Sequence, residues 1–378
     1  MRNIYWIGAR NSDVIGEPLF TGSITRYGND SKDNYAFCNN NFTKDYNEFI
    51  NVTLHDILNT DNTALFWFGN ELSAHKYGRD VYNHSICMNN LSVVESLNDK
   101  IFARNYLGQV VKTPGSVLLN TSICSDYTFI KSVFNNEYTQ FVMQATKGAG
   151  GNDTYYMSEN VIPEISTKSP YLLITPYISK ALAVNLHIVL TKSDYRLLPP
   201  SVQITIDKFK YSGSDFIAYQ YLDSEQKNRI INCANAIAMK MQNLGCIGLL
   251  GVDLLVTEND ILFIECNYRY QGSSFLLNLG LCDNNLPSLF QCWYNAFNDD
   301  LNNIPYDIHR TKINYSSFRR TNWNRHIKVP NTNMIIAPNK SDFSSSDGYQ
   351  QYEIYKQSIA TMIAKQEEQD LYLFDSLQ

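Results

Sequence analysis

Several things are missing from this chain. Charged residues are only 18% of its 378 residues, and the net charge is −6, so there is no basic excess to recommend a nucleic-acid partner. No apolar run is long enough to span a membrane, which excludes a membrane protein of the helical kind. The opening Met1-Arg2-Asn3-Ile4-Tyr5-Trp6-Ile7-Gly8 has neither the apolar core nor the cleavage site of a signal peptide. The eight cysteines are scattered with no Cys-x-x-Cys pair, and no histidine cluster accompanies them. That excludes structural zinc and a disulfide framework, and makes the reducing cytoplasm the expected location. Asn-x-Ser/Thr triplets such as Asn41-Phe42-Thr43 carry no weight without secretion. There is no internal repeat, no Ser–His or Cys–His constellation, and no Gly-x-Gly-x-x-Gly after the strand-like runs at Asn3–Gly8 and Ala64–Asn70.

What is present points to an α/β chain of two or three lobes. The length exceeds one typical domain, and an apolar fraction of 44% with 13% aromatics supplies sizeable cores. The two runs just named are short buried strands, each ending in glycine, so the first lobe reads as an open α/β sheet with its carboxyl edge free for a ligand. The Asn-rich stretch from Asp30 to Asn47 reads as a loop. Asn98 or Asp99 caps a helix that runs to Leu107. Asp223 opens another with capping-box spacing; its apolar stripe is Ile230, Ile231, Ala234, Ile237, Ala238 and Met241, and Gly245 ends it. Phe275–Asn278 begins a further helix. Residues 349–378 read as a polar helix. The basic residues Arg310, Lys312, Arg319, Arg320 and Arg325 read as solvated surface.

The most informative stretch lies between Gly248 and Gly272. Two apolar, β-branched runs, Gly248–Val256 and Ile261–Asn267, flank the turn Glu258-Asn259-Asp260 and form a hairpin of buried strands. Asp253 sits on the first strand. Glu265, Asn267 and Arg269 alternate along the second and so share a face. Taken singly, each of these residues reads as a polar strand end or a surface ion pair. Together, two carboxylates and an amide oxygen are hard ligands suited to Mg²⁺, with an arginine able to fork onto phosphate. Cys266 alternates away from them and reads as a core thiol.

Gly-Val-Asp, a turn, then Glu-x-Asn-x-Arg-x-x-Gly resembles the metal-binding end of the ATP-grasp superfamily, in the branch that includes biotin carboxylase and the carbamoyl-phosphate synthetase large chain. Upstream segments match in the same order, so the likeness covers about residues 95–275. It implies an ATP-grasp fold preceded by an open α/β lobe: residues 1–95 as the pre-ATP-grasp lobe, 96–180 as the small lobe, 181–300 as the large lobe, and 301–378 as a partly helical extension.

The resemblance also implies residue roles, all of them expectations. Asp253, Glu265 and Asn267 would hold Mg²⁺ or Mn²⁺. Arg269 and Lys100 would be catalytic, stabilising the transferring phosphoryl group. Gln144 and the glycine-rich turn of Lys147, Gly148, Gly150 and Gly151 would lie over the ATP phosphates. Gln144 stands where many members carry Lys, and Lys147 or Lys131 would then supply the missing charge. The segment Thr175, Pro176, Tyr177 and Ile178 would meet adenine, through the Pro176 carbonyl and the Ile178 N–H, with Thr175 standing where relatives often have Glu or Gln, while Asn185, His187 and Gln203 would face ribose and phosphate. A lone His in a strand is otherwise a structural residue.

The implied activity is a carboxylate–amine ligase that forms a C–N bond through an acyl phosphate, with small-molecule carboxylate and amine substrates, amino acids or peptides among them. Other chemistry of the same superfamily (carboxylation through carboxyphosphate, or phosphotransfer) is the alternative, as is a non-catalytic nucleotide-binding regulator. Neither nucleic acid nor membrane is an expected partner. Oligomeric state stays open, with a homodimer the assembly that similar proteins favour.

Overall fold

The structure is a computed structural model that describes residues 2–14, 16–28, 30–37, 44–59, 62–148, 151, 153–320, 324, 326–329, 334–336 and 351–367. The first lobe is a parallel sheet of β1 (Asn3–Arg10), β2 (Gly22–Tyr27), β3 (Asn34–Ala36) and β4 (Thr63–Trp67), in the order β3-β2-β1-β4. One face of β1 and β4 (Tyr5, Ile7, Leu65, Trp67) packs on α1 (Tyr46–Leu58) through Phe49, Ile50 and Leu54. A sheet covered on both faces needs apolar residues at every position, which is why these strands show no polar alternation.

The described ends of the Asp30–Asn47 stretch depart from the expected loop. Asn34–Ala36 forms the edge strand β3, and α1 begins at Tyr46 under an Asp45 cap. Asn34 is held by Ser23 Oγ, which donates to its Oδ1, and itself donates to Ser31 Oγ. Pairing with β2 therefore overrides the loop-like composition.

Three short helices, α2 (Glu71–His75), α3 (Arg79–His84) and α4 (Leu91–Leu97), lead to α5 (Lys100–Leu107). The small lobe follows: β5 (Val117–Asn120), α6 (Tyr127–Val133), β6 (Gln140–Ala145), β7 (Thr154–Ser158) and β8 (Tyr171–Pro176). Its antiparallel sheet has the order β5-β8-β6-β7. Phe141, Met143, Ala145, Leu172 and Ile174 pack with Ile130 of α6, so Gln140, Val142, Gln144 and Thr175 alternate onto the other face.

The large lobe is built on β9 (Leu182–Leu190), β10 (Tyr195–Leu197), β11 (Ser201–Ile206) and β12 (Lys210–Asp215), then α7 (Phe216–Gln220), α8 (Ser224–Asn243), β13 (Gly248–Val256) and β14 (Ile261–Asn267). The chain continues through α9 (Ser274–Asp283), α10 (Leu289–Ala296), β15 (Ser316–Arg320), β16 (Met334–Ile336), β17 (Gln351–Tyr355) and α11 (Ala360–Gln366). The nine-stranded sheet runs β14-β13-β9-β11-β12-β15-β17-β16, with β10 on β9. The capping box of α8 is formed by Asp223 and Gln226, and its stripe of Ile230, Ala234, Ile237, Ala238 and Met241 is buried against this sheet. Each buried isoleucine or methionine of the stripe contributes about 1.5–3 kcal/mol. The remaining face of the first lobe (Ile4, Trp6, Ala64, Phe66) closes on α9 and α10 through Leu276, Phe290 and Trp293.

The expected polar helix over 349–378 is a correction: Gln351–Tyr355 is a strand, and among the described residues only Ala360–Gln366 is helical there. The strand forms because it pairs with β15 and buries Ile354 and Tyr355. Asp215, fully buried, ties this end down. Its Oδ1 accepts from Ala218 N–H, capping α7, and its Oδ2 accepts from Ser358 Oγ and from the N–H groups of Ile359 and Ala360 at 2.7, 2.8 and 3.0 Å. In the basic stretch, Arg320 is also not simply solvated: it pairs with Glu353 at 2.9 Å. Arg325 lies outside the described residues. No helix among the described residues is long and apolar enough to cross a membrane.

Candidate functional site

The site grows out of strand alternation. On β9, β11 and β13 the even-numbered residues (Leu182 to Leu190, Val202 to Ile206, Leu250 to Val256) point into the large core under α8. The odd-numbered residues face the other way and, in cross-strand register, form four layers. Leu249 opposite Val189 is apolar and belongs to the core shared with the first lobe. Next come Gly251 and His187, then Asp253 and Asn185, and finally Leu255 and Ala183, which line a cavity of 630 Å³. That volume lies in the range of small-molecule sites.

The Gly251–His187 layer is a buried polar floor. A Cβ on Gly251 would lie 1.3 Å from Gln271 Nε2, so only glycine lets Gln271 lie across the strand. Gln271 Oε1 accepts from Asn185 Nδ2 at 2.7 Å, Ser273 Oγ donates to Asn185 Oδ1 at 2.7 Å, and Ser274 Oγ bonds His187 Nε2 at 2.8 Å. Burial drives the His187 imidazole down to about 3, so it is neutral.

The carboxylate layer sits on that floor. Asp253 opposes Glu265 on β14 directly. Asn185 and Gln203 each donate to Asp253 Oδ1 at 2.7 Å, and Asn267 Nδ2 lies 3.3 Å from Asp253 Oδ2 and 3.4 Å from Glu265 Oε1. Burial, reinforced by the Glu265 charge, pushes the Asp253 carboxyl upward, while Asn185 and Arg269 pull it back. Two facing carboxylates in a desolvated pocket are an arrangement that a divalent cation relieves. Their oxygens, with Asn267 Oδ1 after an amide rotation, make a hard donor set that fits Mg²⁺. Among the described residues no group of three His, Cys, Asp or Glu side chains converges, so the fit rests on these two carboxylates and the amide. Cys266 packs into the opposite core.

Cations approach from outside the sheet. Asp99 caps α5 through the N–H groups of Ile101 and Phe102, which sets Lys100 at the helix start. Its Nζ lies 3.2 Å from Glu265 Oε2 and donates to Gly148 O at 3.0 Å. Arg269 Nη2 donates to Asn267 Oδ1 at 3.2 Å.

Of the residues singled out from sequence, Lys100, Gln144, Gly148, Gly151, Thr175, Pro176, Tyr177, Ile178, Gln203, Asp253 and Glu265 line the cavity. Tyr177 N–H is already taken by Gln140 O, which leaves the neighbouring Pro176 carbonyl and Ile178 N–H as the main-chain pair. Asn267 and Arg269 adjoin the carboxylates without lining the cavity. Neither His187 nor Asn185 lines the cavity: Asn185 is buried in the same layer as Asp253, to which it donates, and His187 is buried one layer below, bonded to Ser274. Lys147 is exposed, and neither it nor Lys131 lines the cavity. Gly150 lies outside the described residues.

Sequence reasoning passed over Arg104, Gln271, Ser273, Lys208 and the α11 residues Ile363 and Ala364. Arg104 follows Lys100 by one helical turn and so shares its face, a signal present in the spacing. The others had none: Lys208, whose Nζ lies 4.5 Å from the Tyr156 ring centre, and α11 reach the cavity only through the fold.

A carboxylate pair, nearby cations and one cavity thus meet between the small-lobe and large-lobe sheets. The family model for an ATP-grasp domain matches residues 97–273, a little under half of the chain. Solved structures share the fold across nearly the whole chain. The biotin carboxylase domain of Hydrogenobacter thermophilus 2-oxoglutarate carboxylase, solved with MgADP, ADP and bicarbonate, has a TM-score of 0.64 at 14% identity, covering 94% of this chain and 86% of its own. The ADP complex of PurK, an N5-carboxyaminoimidazole ribonucleotide synthetase, gives 0.63 at 11% identity, covering 100% and 98%. Campylobacter jejuni biotin carboxylase gives 0.62 at 12%, covering 94% and 87%. No curated protein sequence matches the chain.

Proposed function

We propose that this protein is an ATP-dependent carboxylate–amine ligase that works through an acyl phosphate. The observation that carries the reading is the cross-strand pair Asp253–Glu265, with Asn267 and Lys100 beside it, at the edge of a 630 Å³ cavity walled by the glycine-rich turn and the interlobe strand. ATP would lie in that cavity, its base against Pro176 and Ile178 and its phosphates toward Gly148 and Lys100. A substrate carboxylate oxygen attacks the γ-phosphorus, the bond to ADP breaks, and an acyl phosphate forms. The amine then attacks the acyl carbon, phosphate leaves and the amine proton passes to it. Mg²⁺, held by Asp253, Glu265 and Asn267, would supply charge neutralisation at the phosphates. Lys100 and Arg269 would stabilise the charge that develops on the transferring group. No side-chain nucleophile is required, in keeping with cysteines whose thiols burial pushes upward, Cys233 to about 12 among them.

A second reading has a specific observation in its favour: the structures that match across most of the chain are carboxylases and a carboxyaminoimidazole synthetase. Here bicarbonate would be the carboxylate and carboxyphosphate the intermediate. One assay separates the two. ADP and phosphate release with Mg²⁺-ATP is followed with bicarbonate, with pooled amino acids, and with short peptides, for the wild type and Glu265→Ala. Release that needs an organic carboxylate and an amine, and is lost in the variant, supports ligation. Release that needs bicarbonate alone moves the reading to carboxylation. Absence of nucleotide binding overturns both.

A further inference from the structure

The small-lobe wall of the cavity has a charge deficit. It is formed by Gln140, Val142, Gln144, Thr154, Tyr156 and the 175–178 segment together with Gly148 and Gly151, and it contains no lysine or arginine. Lys147 is close in sequence but exposed and outside the lining. Lys100 reaches the loop end of this wall through Gly148 O at 3.0 Å and Lys208 lies over the Tyr156 and Tyr177 rings at 4.5 and 5.2 Å, which leaves the stretch around Gln144 in need of a cation from elsewhere.

Arg104 does reach it. The residue is 4% exposed and lines the cavity. Its Nε donates to Ile264 O of β14 at 3.1 Å, and its Nη2 donates to Gln144 Oε1 of β6 at 3.1 Å, so one guanidinium joins the metal hairpin to the small-lobe wall. Nη1 is buried with no partner among the described residues. The bond to Oε1 also fixes which end of Gln144 is available: Nε2 remains to donate into the cavity. A buried guanidinium with an unused donor is costly, and its retention is explained when an anion shares the site.

We propose that Arg104 is the phosphate-positioning residue of the small-lobe wall: it orients the Gln144 amide toward the nucleotide phosphates and supplies positive charge beside it. This rests on the nucleotide reading above. The competing role is purely structural, with Arg104 bridging two strands and offsetting Glu265, whose charge favours the protonated guanidinium that burial disfavours.

The test compares Mg²⁺-ADP with adenosine by calorimetry in wild type, Arg104→Gln, and Arg104→Gln combined with Gln144→Lys. The expected result is about a 10- to 100-fold loss of Mg²⁺-ADP affinity in Arg104→Gln, the range for a charge-assisted contact, with adenosine binding unchanged. Gln144→Lys, which puts a cation on the same wall, should restore affinity to within about threefold, a rescue that mere bridging would not produce. Equal loss for both ligands, no loss, or no rescue overturns the proposal. If Arg104→Gln melts below the assay temperature, Arg104→Lys takes its place: a retained preference for Mg²⁺-ADP over adenosine supports the role of charge, and a lost preference overturns it. Failure of the wild type to bind ADP or ATP would instead defeat the nucleotide reading itself.

Discussion

Even-numbered and odd-numbered residues of β9, β11 and β13 share a backbone and live in different solvents. The even set, Leu182 to Leu190 with Val202, Ile204, Leu250, Val252 and Leu254, packs into the large core, with Leu182, Val202, Ile204 and Leu254 also bordering the cavity. The odd set passes from apolar contact at Leu249 and Val189, through the amide and imidazole floor, to the Asp253–Glu265 pair at the cavity. The contrast shows how a strand can carry stability and chemistry together. Period-two alternation separates the two jobs by one residue, and the polar floor keeps the carboxylates positioned without using apolar packing on that side.

The comparison can be broken most sharply at Glu265. Glu265→Gln should cut substrate-stimulated ADP release by about 10³-fold or more, since it removes charge where metal and phosphate would meet. Its melting temperature should stay close to wild type, because the side chain is 21% exposed and sits on the cavity face. Retained turnover would show that the carboxylate pair is not the reactive centre.

The opposite face should respond in the opposite way. Ile188→Ala empties a fully buried position in the large core, and a destabilisation of about 2–5 kcal/mol is expected in urea titrations, with KM for ATP little changed in the folded fraction. A shift in KM as large as the loss of stability would mean that the two faces are not separable.

The buried floor predicts a pH dependence with a definite sign. His187 is held far below its ordinary value, so the unfolded chain binds a proton there that the folded chain refuses. Its contribution is intact above about pH 6.5 and is lost as pH falls toward 3, at up to about 1.4 kcal/mol per pH unit. Urea midpoints at pH 7.5 and 5.5 should separate more in wild type than in His187→Gln; equal separations would remove His187 as the cause. A smaller effect is expected at the glycine. Gly251→Ala displaces the end of the Gln271 side chain, which is flexible, so about 1 kcal/mol of stability is expected to go with the lost Asn185 bond. A neutral result in both melting temperature and activity would show that Gln271 repacks freely.

Local signals explain why much of this is readable before any folding. The β13–β14 hairpin has apolar alternation and a polar turn within twenty residues. Helix α8 has its capping box, and the strand–glycine–strand order of the small lobe is written consecutively. Even Asp253, Glu265, Asn267 and Lys100 stand out, because residue type and spacing on a regular element define a face. The misreadings have the opposite origin. Asn34–Ala36 and Gln351–Tyr355 look like loop and helix until β2 and β15 pair with them. His187 and Asn185 read as ribose-facing because they lie on the polar face, but whether that face is open or covered depends on Gln271, Ser273 and Ser274, more than eighty residues away.

By itself, then, the amino-acid order determined most of the α/β elements, the alternation that divides core from site, and the set of carboxylates, amide and cations that resembles the ATP-grasp pattern. All of these are consequences of short-range periodicity and residue chemistry. Only the tertiary structure decided which of the polar residues reach the cavity, that Arg104 joins Gln144 to the β13–β14 hairpin, and that the distant segment ending in α11 closes one wall. Those depend on contacts between residues far apart in the chain, and loop closure and packing, rather than local pattern, set them.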